Sequence, residues 1–205
     1  MRKIKVKIIS NLYIFYLWIL SKTCKIRIIN ECDIDINNSI IGFWHGESFP
    51  MYLLMKRWNE LNIAAIATSD SRGDYIDTIC KRYGIRPLRL PNGSAARHGI
   101  NDIIKIGKED KTLSICFSID GPLGPFHDPK KMVFYIANRA EKKYLGITVQ
   151  VKGKYVIKAR WDKYVVPLPF SKITYNIRSF GDISKEHVRN YDRLRQDIIN
   201  FMAGS

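Results

Sequence analysis

From about residue 38 onward, short apolar runs alternate with amphipathic segments, and this alternation is the feature that most constrains the fold. The apolar runs have the length and composition of buried strands, whereas the segments between them carry apolar residues at helical spacing. Predicted strands cover 39–44, 63–68, 85–90, 112–119, 145–151, 155–161 and 173–179, and predicted helices cover 49–58, 74–84, 94–107, 130–143 and 184–202. Repeated strand–helix–strand units predict an α/β fold with a largely parallel central sheet flanked by helices.

The chain has the size of one domain. Its 205 residues, 46% of them hydrophobic, are enough to bury a core and exclude a disordered protein. No internal repeat or low-complexity linker divides the sequence. The one boundary we predict separates a basic, apolar N-terminal segment, 1–30, from a single domain over 31–205.

The N-terminal segment has the composition of a membrane-associating helix. It holds seven Lys and Arg and no acid, around the apolar run IISNLYIFYLWIL at 8–20. A spanning helix needs about 20 apolar residues, so this run is too short to cross a bilayer. No small-residue cleavage site follows it, as a secretory signal requires. Tyr and Trp among apolar residues, with flanking cations, favour a helix lying in the membrane interface over an ordinary core helix.

The charge of the chain restricts its partners. Thirty-four Lys and Arg face nineteen Asp and Glu, a net charge of +15, which attracts nucleic acid, anionic lipid or an acidic carrier protein. A nucleic-acid-binding protein predicts a basic stripe with interleaved aromatic residues. The clearest such cluster here is the strongly apolar N-terminal segment, so we expect an anionic membrane surface and no nucleic acid. The four cysteines show no C-x-x-C spacing, which favours a reduced protein that faces the cytosol. Together with the N-terminal segment, this predicts a protein bound peripherally to the cytoplasmic face of the cell membrane.

Polar residues follow the predicted strands at their carboxyl ends. They are His45 and Glu47 after the first strand, Asp70, Arg72 and Asp74 after the second, Gly93, Ser94 and Arg97 around the next helix start, and Asp120, Gly121 and Pro122 after the fourth. The carboxyl ends of parallel strands converge on one crevice. A His, several carboxylates, a helix N-terminus and an Arg in one crevice are suited to base catalysis on a negatively charged substrate. The simpler alternatives are a turn cap for Asp120, an N-cap for Ser94 and a surface charge for Arg97.

Several common catalytic motifs are absent from the sequence. It contains no G-x-G-x-x-G, G-x-x-x-x-G-K-[ST], G-x-S-x-G or H-E-x-x-H pattern. Their absence argues against a dinucleotide enzyme, a P-loop enzyme, a serine hydrolase with a nucleophile elbow and a zincin. No spacing of His, Cys, Asp and Glu predicts a metal site.

Four segments together resemble a bacterial protein family. They read FWHGES at 43–48, SDSRGDYIDTICKRYGIRPLRLPNGSAARHG at 69–99, FSIDGPLGP at 117–125 and RWDKYVVPLPFSKI at 160–173. In this order they resemble the DUF374 group of lysophospholipid acyltransferase-like proteins, relatives of glycerol-phosphate and lysophosphatidate acyltransferases. The resemblance spans about residues 38 to 182, and DGPxGP and WDxxxxPxPFS are its more specific motifs.

The resemblance implies a glycerolipid-acyltransferase-like α/β fold and an O-acyltransferase. The enzyme would move a fatty acyl chain from acyl-CoA or acyl carrier protein to a hydroxyl of a lysophospholipid or related lipid, with no other cofactor. His45 resembles the superfamily's catalytic His, and the region from Gly93 to Arg97 resembles its Arg-bearing loop. Asp120 stands where the superfamily's acidic Phe-Pro-Glu-Gly loop has Glu.

Two positions depart from the family pattern. The acid expected at the fifth position after His45 is Pro50, so another acid must orient the imidazole, and the usual Arg of DGPRGP is Leu123. The candidates for orienting His45 are Glu47, Asp74 and Asp120, of which we favour Asp120. Backbone N–H groups at 93–94 or 121–124 are candidates for stabilising an oxyanion. A non-catalytic lipid-binding protein of the same fold remains the alternative to an enzyme.

Overall fold

One mainly parallel sheet organises the computed structural model, which describes residues 2–30, 33–69, 71–91 and 93–203. Its strands are β1 (Lys25–Ile29), β2 (Ser39–Phe43), β3 (Ile63–Thr68), β4 (Arg86–Leu90), β5 (Ser114–Ser118), β6 (Lys143–Ile157) and β7 (Tyr164–Asp182). Their order across the sheet is β1-β7-β6-β2-β5-β3-β4. The β6/β7 pair is antiparallel and the other neighbours are parallel. The predicted fold class is therefore confirmed.

Helices cover both faces of this sheet. They are α1 (Arg2–Thr23), α2 (Ser48–Arg57), α3 (Ser71–Arg82), α4 (Ala96–Glu109), α5 (Lys131–Arg139), α6 (Lys185–Arg189) and α7 (Tyr191–Met202), with 3₁₀ turns at His45–Glu47 and Gly93–Ala95. Because successive strand residues point to opposite faces, Ile41 packs with α1, α2 and α3, and Ile40 packs with α4, α5 and α7. Burial on both faces explains why the strands are continuous apolar runs rather than alternating ones.

Most predicted elements are present, with differences at the ends of the chain. Strand β4 lies at the edge of the sheet, where Pro87, which has no N–H to donate, is tolerated. The predicted helix over 184–202 is two helices, and Ser184 caps the first through a hydrogen bond from the His187 N–H. Strand β1 was not predicted.

The long hairpin of β6 and β7 also differs from the prediction. Two predicted strands, 145–151 and 155–161, are replaced by the single strand β6, and β7 begins nine residues earlier than predicted, at Tyr164 rather than Ile173. The ladder between them shifts register between Lys152 and Lys154. This irregularity breaks the period-two pattern on which a strand prediction depends.

The N-terminal helix has two different faces. Leu17 and Leu20 are fully buried in the core under the sheet, while Ile8, Leu12 and Phe15 are exposed. Strand β1 follows directly and pairs with β7. Residues 2–30 are thus packed into the same body as the domain from which the sequence analysis separates them. Within the described ranges, no helix is long and apolar enough to span a bilayer.

Candidate active site

His45 lies at the carboxyl edge of the sheet, directly after β2. Trp44 holds this end of the strand in the core, because its ring is buried and its Nε1–H donates to the Met202 carbonyl at 3.3 Å. The chain then makes the 3₁₀ turn His45–Glu47 and enters α2. The imidazole is 24% exposed, so it is held by the fold and still open to solvent. This is the geometry a general base needs.

The connection between β6 and β7 packs against the turn at His45. A Cβ on Gly46 would lie 2.1 Å from the Asp162 carbonyl oxygen, a distance that no side chain permits. Glycine is therefore required at position 46 for this close approach. The approach explains the Gly of the Trp-His-Gly sequence and brings residues from 160 onward to the imidazole.

Asp162 orients the imidazole. Its Oδ2 lies 2.7 Å from His45 Nδ1, and its carboxylate is fully buried. Arg160 donates to the same carboxylate through Nε at 2.8 Å and Nη2 at 2.7 Å, one bond to each oxygen. Two parallel charge-assisted bonds of this kind fix the carboxylate in position.

The protonation state of Asp162 follows from these partners. Burial acts to raise the pKa of this carboxyl, but the hydrogen bonds and charges of Arg160 and His45 outweigh it and hold the pKa below its ordinary value. An ionised Asp162 accepts the Nδ1–H of a neutral imidazole. In that tautomer Nε2 carries the lone pair that can accept a proton.

Asp120 does not orient the imidazole, contrary to our expectation. Its Oδ1 accepts the backbone N–H of His45 at 2.8 Å, so it positions the main chain of the turn instead. Its Oδ2 is buried and has no hydrogen-bond partner among the described residues. Burial raises its pKa to about 6, against the lowering effect of backbone N–H groups such as that of His45. The prediction failed because Asp120, at the end of the neighbouring strand, lies next to the His45 backbone N–H, whereas the His45 side chain contacts Asp162.

The turn that follows Asp120 packs against the site through an aromatic ring. Gly121 and Gly124 both have left-handed backbone, with φ of 71° and 72°. A Cβ on Gly124 would lie 2.7 Å from the Trp161 indole, whose centre is 5.4 Å from that of the imidazole. Pro122 is exposed beside them. The stiff turn therefore supports Trp161, which borders His45.

The other two acids proposed to orient His45 have different surroundings. Asp74 forms an ion pair with Arg89, whose Nη2 is 3.1 Å from its Oδ1, and Arg89 also donates to the Thr68 carbonyl at 2.8 Å. This arrangement ties α3 to β3 and β4. Glu47 is buried at the end of the 3₁₀ turn.

Of the region from Gly93 to Arg97, Arg97 contributes to a cleft. Gly93 adopts left-handed backbone at the start of its turn, and Arg97 lies exposed on the first turn of α4. Arg97 lines a cleft of about 370 Å³ together with Ile100, Asn101, Lys131, Met132, Tyr135 and Val188. His45 is not among the lining residues. The side chains of Ser94 and Arg72, and all of Asp70, lie outside the described part of the chain.

Sequence reasoning missed Asp162 and Arg160 as site residues. Both stand in the quoted segment RWDKYVVPLPFSKI, but no role was assigned to them. The available signal was a polar Arg-Trp-Asp group at the turn between two strands. Asp162 is 117 positions from His45, and only the fold of the hairpin brings them together.

Comparisons with known proteins give two similarities. No protein-family model matches the chain, so membership of the DUF374 group stays a prediction. The uncharacterized protein RP090 of Rickettsia prowazekii (strain Madrid E) is 24% identical over 161 residues, which cover 78% of this chain and 71% of that protein. The crystal structure of the 1-acyl-sn-glycerophosphate (LPA) acyltransferase PlsC from Thermotoga maritima is similar with a TM-score of 0.43 and 13% identity. It matches over 98% of this chain and 81% of its own.

Proposed function

We propose that this protein is an O-acyltransferase that uses His45 as its general base. The observation that carries the proposal is the contact series from Arg160 to Asp162 to His45 at the carboxyl edge of the sheet. A partly exposed imidazole oriented by a buried, ionised carboxylate is suited to removing a proton from a hydroxyl. The resemblance of the sequence motifs specifies the reaction as acyl transfer from acyl-CoA or acyl carrier protein to a lipid acceptor.

The reaction would proceed by direct attack. Nε2 of His45 takes the proton of the acceptor hydroxyl as its oxygen bonds to the thioester carbonyl carbon. The tetrahedral intermediate then collapses, the carbon–sulfur bond breaks, and the leaving thiolate receives the proton from the imidazolium. Asp162 stabilises that imidazolium and remains ionised. The products are the ester and the free thiol.

The turn after Asp120 is the better candidate for stabilising the oxyanion. It borders the site through Trp161, whereas the turn at 93–94 adjoins the cleft at Arg97. The Gly121 N–H already donates to the Ser118 carbonyl, and Pro122 has no N–H. The N–H groups of Leu123 and Gly124 are therefore the donors that we assign to this role.

The cleft at Arg97 is the candidate site for the charged part of the acceptor. Among the described residues, its lining includes two cations, Arg97 and Lys131, and no acid. Apolar side chains such as Ile100 and Met132 lie between them. This combination suits a lipid that carries a phosphate and an acyl chain.

We further propose that the protein binds the cytoplasmic face of the cell membrane peripherally. The outward face of α1 exposes Ile4, Ile8, Leu12, Phe15 and Trp18, and residues 2–30 contain no acid. Apolar and aromatic residues with neighbouring cations match an anionic lipid surface. The acceptor lipid would then be supplied from the bilayer on which the protein lies.

The structure weakens one reason for the non-catalytic alternative. Pro50 replaces the acid of the local motif, but Asp162 supplies a carboxylate to His45 from a different part of the chain. Pro50 instead lies in the first turn of α2, where its carbonyl accepts a hydrogen bond from Tyr175 at 2.6 Å. The exposed Leu123 is the remaining departure.

The test is an acyl-transfer assay with His45→Ala beside the wild type. Radiolabelled acyl-CoA or acyl carrier protein is offered with a panel of lysolipids, and His98→Ala, at an exposed histidine of α4, is the matched control. We expect product from the wild type and the control and about a thousandfold less from His45→Ala. Equal product from all three proteins would remove His45 from the mechanism. A wild type that binds vesicles and transfers no acyl chain would favour the lipid-binding alternative.

A further inference from the structure

The β6–β7 hairpin contains an outward loop that the proposed site does not use. Lys172 pairs with Lys152, but Pro167 pairs with Lys154, so residues 168–171 of β7 stand opposite Gly153 alone. The Ser171 hydroxyl closes this bulge through hydrogen bonds with the carbonyl oxygens of Gly153 and Leu168. We call residues 168–170 the hairpin loop; they lie within β7 and are distinct from the turn that joins β6 to β7.

The hairpin loop presents large apolar side chains to solvent. Phe170 is 79% exposed and Leu168 is 44% exposed. Phe170 also has left-handed backbone, with φ of 69°, a conformation that costs a non-glycine residue about 1 kcal/mol. The fold thus holds an aromatic residue outward at a cost in stability, which is typical of a contact site.

The hairpin loop is tied to the N-terminal helix. The Tyr16 hydroxyl of α1 donates to the Pro167 carbonyl at 2.8 Å. The thiol of Cys24, directly after α1, donates to the Leu168 carbonyl at 3.5 Å. The hairpin loop therefore borders the helix whose outward face we assign to the membrane.

Cations surround the hairpin loop. Lys152, Lys154 and Lys172 lie on the hairpin itself, and Lys25 of β1 is the register partner of Lys172. Between Glu141 and Asp182 the sequence has one acid, Asp162, which is buried in the candidate site. An apolar tip ringed by lysines matches the interface of an anionic bilayer, where side chains enter the acyl boundary and ammonium groups remain at the headgroups.

We propose that the hairpin loop is a second membrane-binding element that inserts Leu168 and Phe170 into an anionic bilayer beside α1. The inference rests on the proposed peripheral attachment through α1. Because α1 is packed into the domain, a molecule attached through this helix alone can roll as a whole about the helix axis, and a second contact beside the helix removes that freedom. Since Asp162 precedes the hairpin loop by only a few residues on the same hairpin, this contact also fixes how the candidate site faces the lipid.

The test is flotation of the full chain with vesicles of phosphatidylglycerol and phosphatidylcholine, and with vesicles of phosphatidylcholine alone. The variants are Phe170→Ser and Phe170→Asn, the second because Asn tolerates left-handed backbone. The control is Tyr135→Ser, at an exposed aromatic residue of α5 on the other face of the sheet. We expect both Phe170 variants to lower the partition coefficient on anionic vesicles about tenfold and the control to leave it unchanged. Acyl transfer to lysolipid dispersed in detergent should be the same in the wild type and in both Phe170 variants.

Each other outcome overturns part of the proposal. If the wild type and both Phe170 variants bind anionic vesicles equally, the hairpin loop is not a membrane contact, and attachment through α1 stands. If the wild type binds no vesicles, both contacts fail, while the detergent assay still reports separately on acyl transfer. Loss of transfer in detergent by a Phe170 variant would assign the hairpin loop to the site or the fold instead. A wild-type dimer that Phe170→Ser converts to a monomer with unchanged vesicle binding would identify the partner as a second copy of the chain.

Discussion

Asp162 is the residue on which the proposed chemistry depends most after His45. Its side chain is fully buried and accepts hydrogen bonds from Nε and Nη2 of Arg160, and its Oδ2 lies 2.7 Å from His45 Nδ1. Arg160 also stacks on Tyr164, its guanidinium carbon 4.5 Å from the ring centre. Asp162 is thus a positioning residue that selects one tautomer of the base.

Asp162→Asn should lower kcat by about 10³- to 10⁴-fold, because an amide that donates to Nδ1 favours the wrong tautomer. The KM for the lipid acceptor should change little, since Asp162 is buried and does not face the substrate. Asp182→Asn, at an exposed carboxylate of β7, is the control and should keep full activity. Steady-state kinetics of the three proteins checks the prediction, and a kcat within tenfold of the wild type for Asp162→Asn would contradict it.

Two neighbouring residues make opposite contributions to the pH dependence of stability. Burial raises the pKa of Asp120 from 3.8 to about 6, and burial with the nearby charge of Lys163 lowers the pKa of His127 from 6.5 to about 4. Between about pH 4 and 6 the folded state therefore holds a proton on Asp120 that the unfolded state has lost. The stability that Asp120 contributes to the folded protein consequently falls as pH rises. The unfolded state holds the extra proton on His127 between about pH 4 and 6.5, so that group loses stability as pH falls.

Asp120→Asn should change the pH dependence of the unfolding free energy. The unfolding free energy of the variant relative to that of the wild type should rise by about 2 kcal/mol as pH rises from 4 to 7, because ionising buried Asp120 no longer costs stability. The unfolding free energy of His127→Asn relative to that of the wild type should instead rise as pH falls from 6.5 to 4. Urea unfolding at a series of pH values measures both. A difference that stays constant with pH would show that Asp120 titrates normally in the folded protein.

Among the elements, α1 has one face packed into the core and one face exposed to solvent. The inner face buries Leu17 and Leu20 and forms a hydrogen bond from Tyr16 to Pro167. Tyr13 also lies 3.2 Å from Tyr164, hydroxyl to hydroxyl, which brings the helix close to Arg160. The outer face exposes a stripe of apolar side chains that no ordinary surface helix needs.

Leu17→Ala and Leu12→Ala should therefore affect different properties, stability in the first case and vesicle binding in the second. Leu17→Ala should lower the unfolding free energy by about 2 to 5 kcal/mol, because it leaves a cavity in the core. Leu12→Ala, at a residue 63% exposed, should change stability by less than about 0.5 kcal/mol but reduce partition onto anionic vesicles. Chemical denaturation and vesicle flotation measure the two effects. Equal vesicle binding by Leu12→Ala and the wild type would contradict the assignment of the outer face.

For the whole molecule, the net charge of +15 is unevenly arranged. The N-terminal 30 residues have no acid, and the long hairpin has one buried acid between Glu141 and Asp182. These two regions are joined by β1/β7 pairing and by the contacts of α1. The charge therefore concentrates where the exposed apolar residues are, which gives the molecule one side suited to anionic lipid.

Binding to anionic vesicles should consequently depend on salt. Raising the ionic strength from about 0.05 to 0.5 M shortens the screening length severalfold and should weaken partition onto phosphatidylglycerol vesicles by at least about tenfold. Partition onto neutral vesicles should change much less, because only the apolar contribution remains. Flotation at a series of salt concentrations checks this, and a salt-independent partition would assign the attachment to apolar contacts alone.

The fold class and the position of His45 were predictable from local signals. Burial on both faces makes each central strand a continuous apolar run, and the glycines and prolines of the intervening turns mark where strands end. His45 was found because a polar residue directly after such a run lies at the sheet edge. The bulged hairpin was not predicted because an irregular ladder leaves no regular pattern, and β1 was not predicted because it lies inside the basic segment 1–30 that was assigned to the membrane.

The α/β class, the place of the candidate base and the concentration of charge at the N-terminus can be inferred from the sequence, since each depends on residues close together in the chain. The acid that orients His45, the exposed face of α1 and the loop beside that helix follow only from contacts formed in the folded protein. Asp162 meets the imidazole only because Gly46 lets the hairpin approach to contact distance, and Asp120 is turned toward the backbone of the same residue. These contacts join residues 75 and 117 positions apart and depend on strand order and on the path of the hairpin, so no local pattern of residues encodes them.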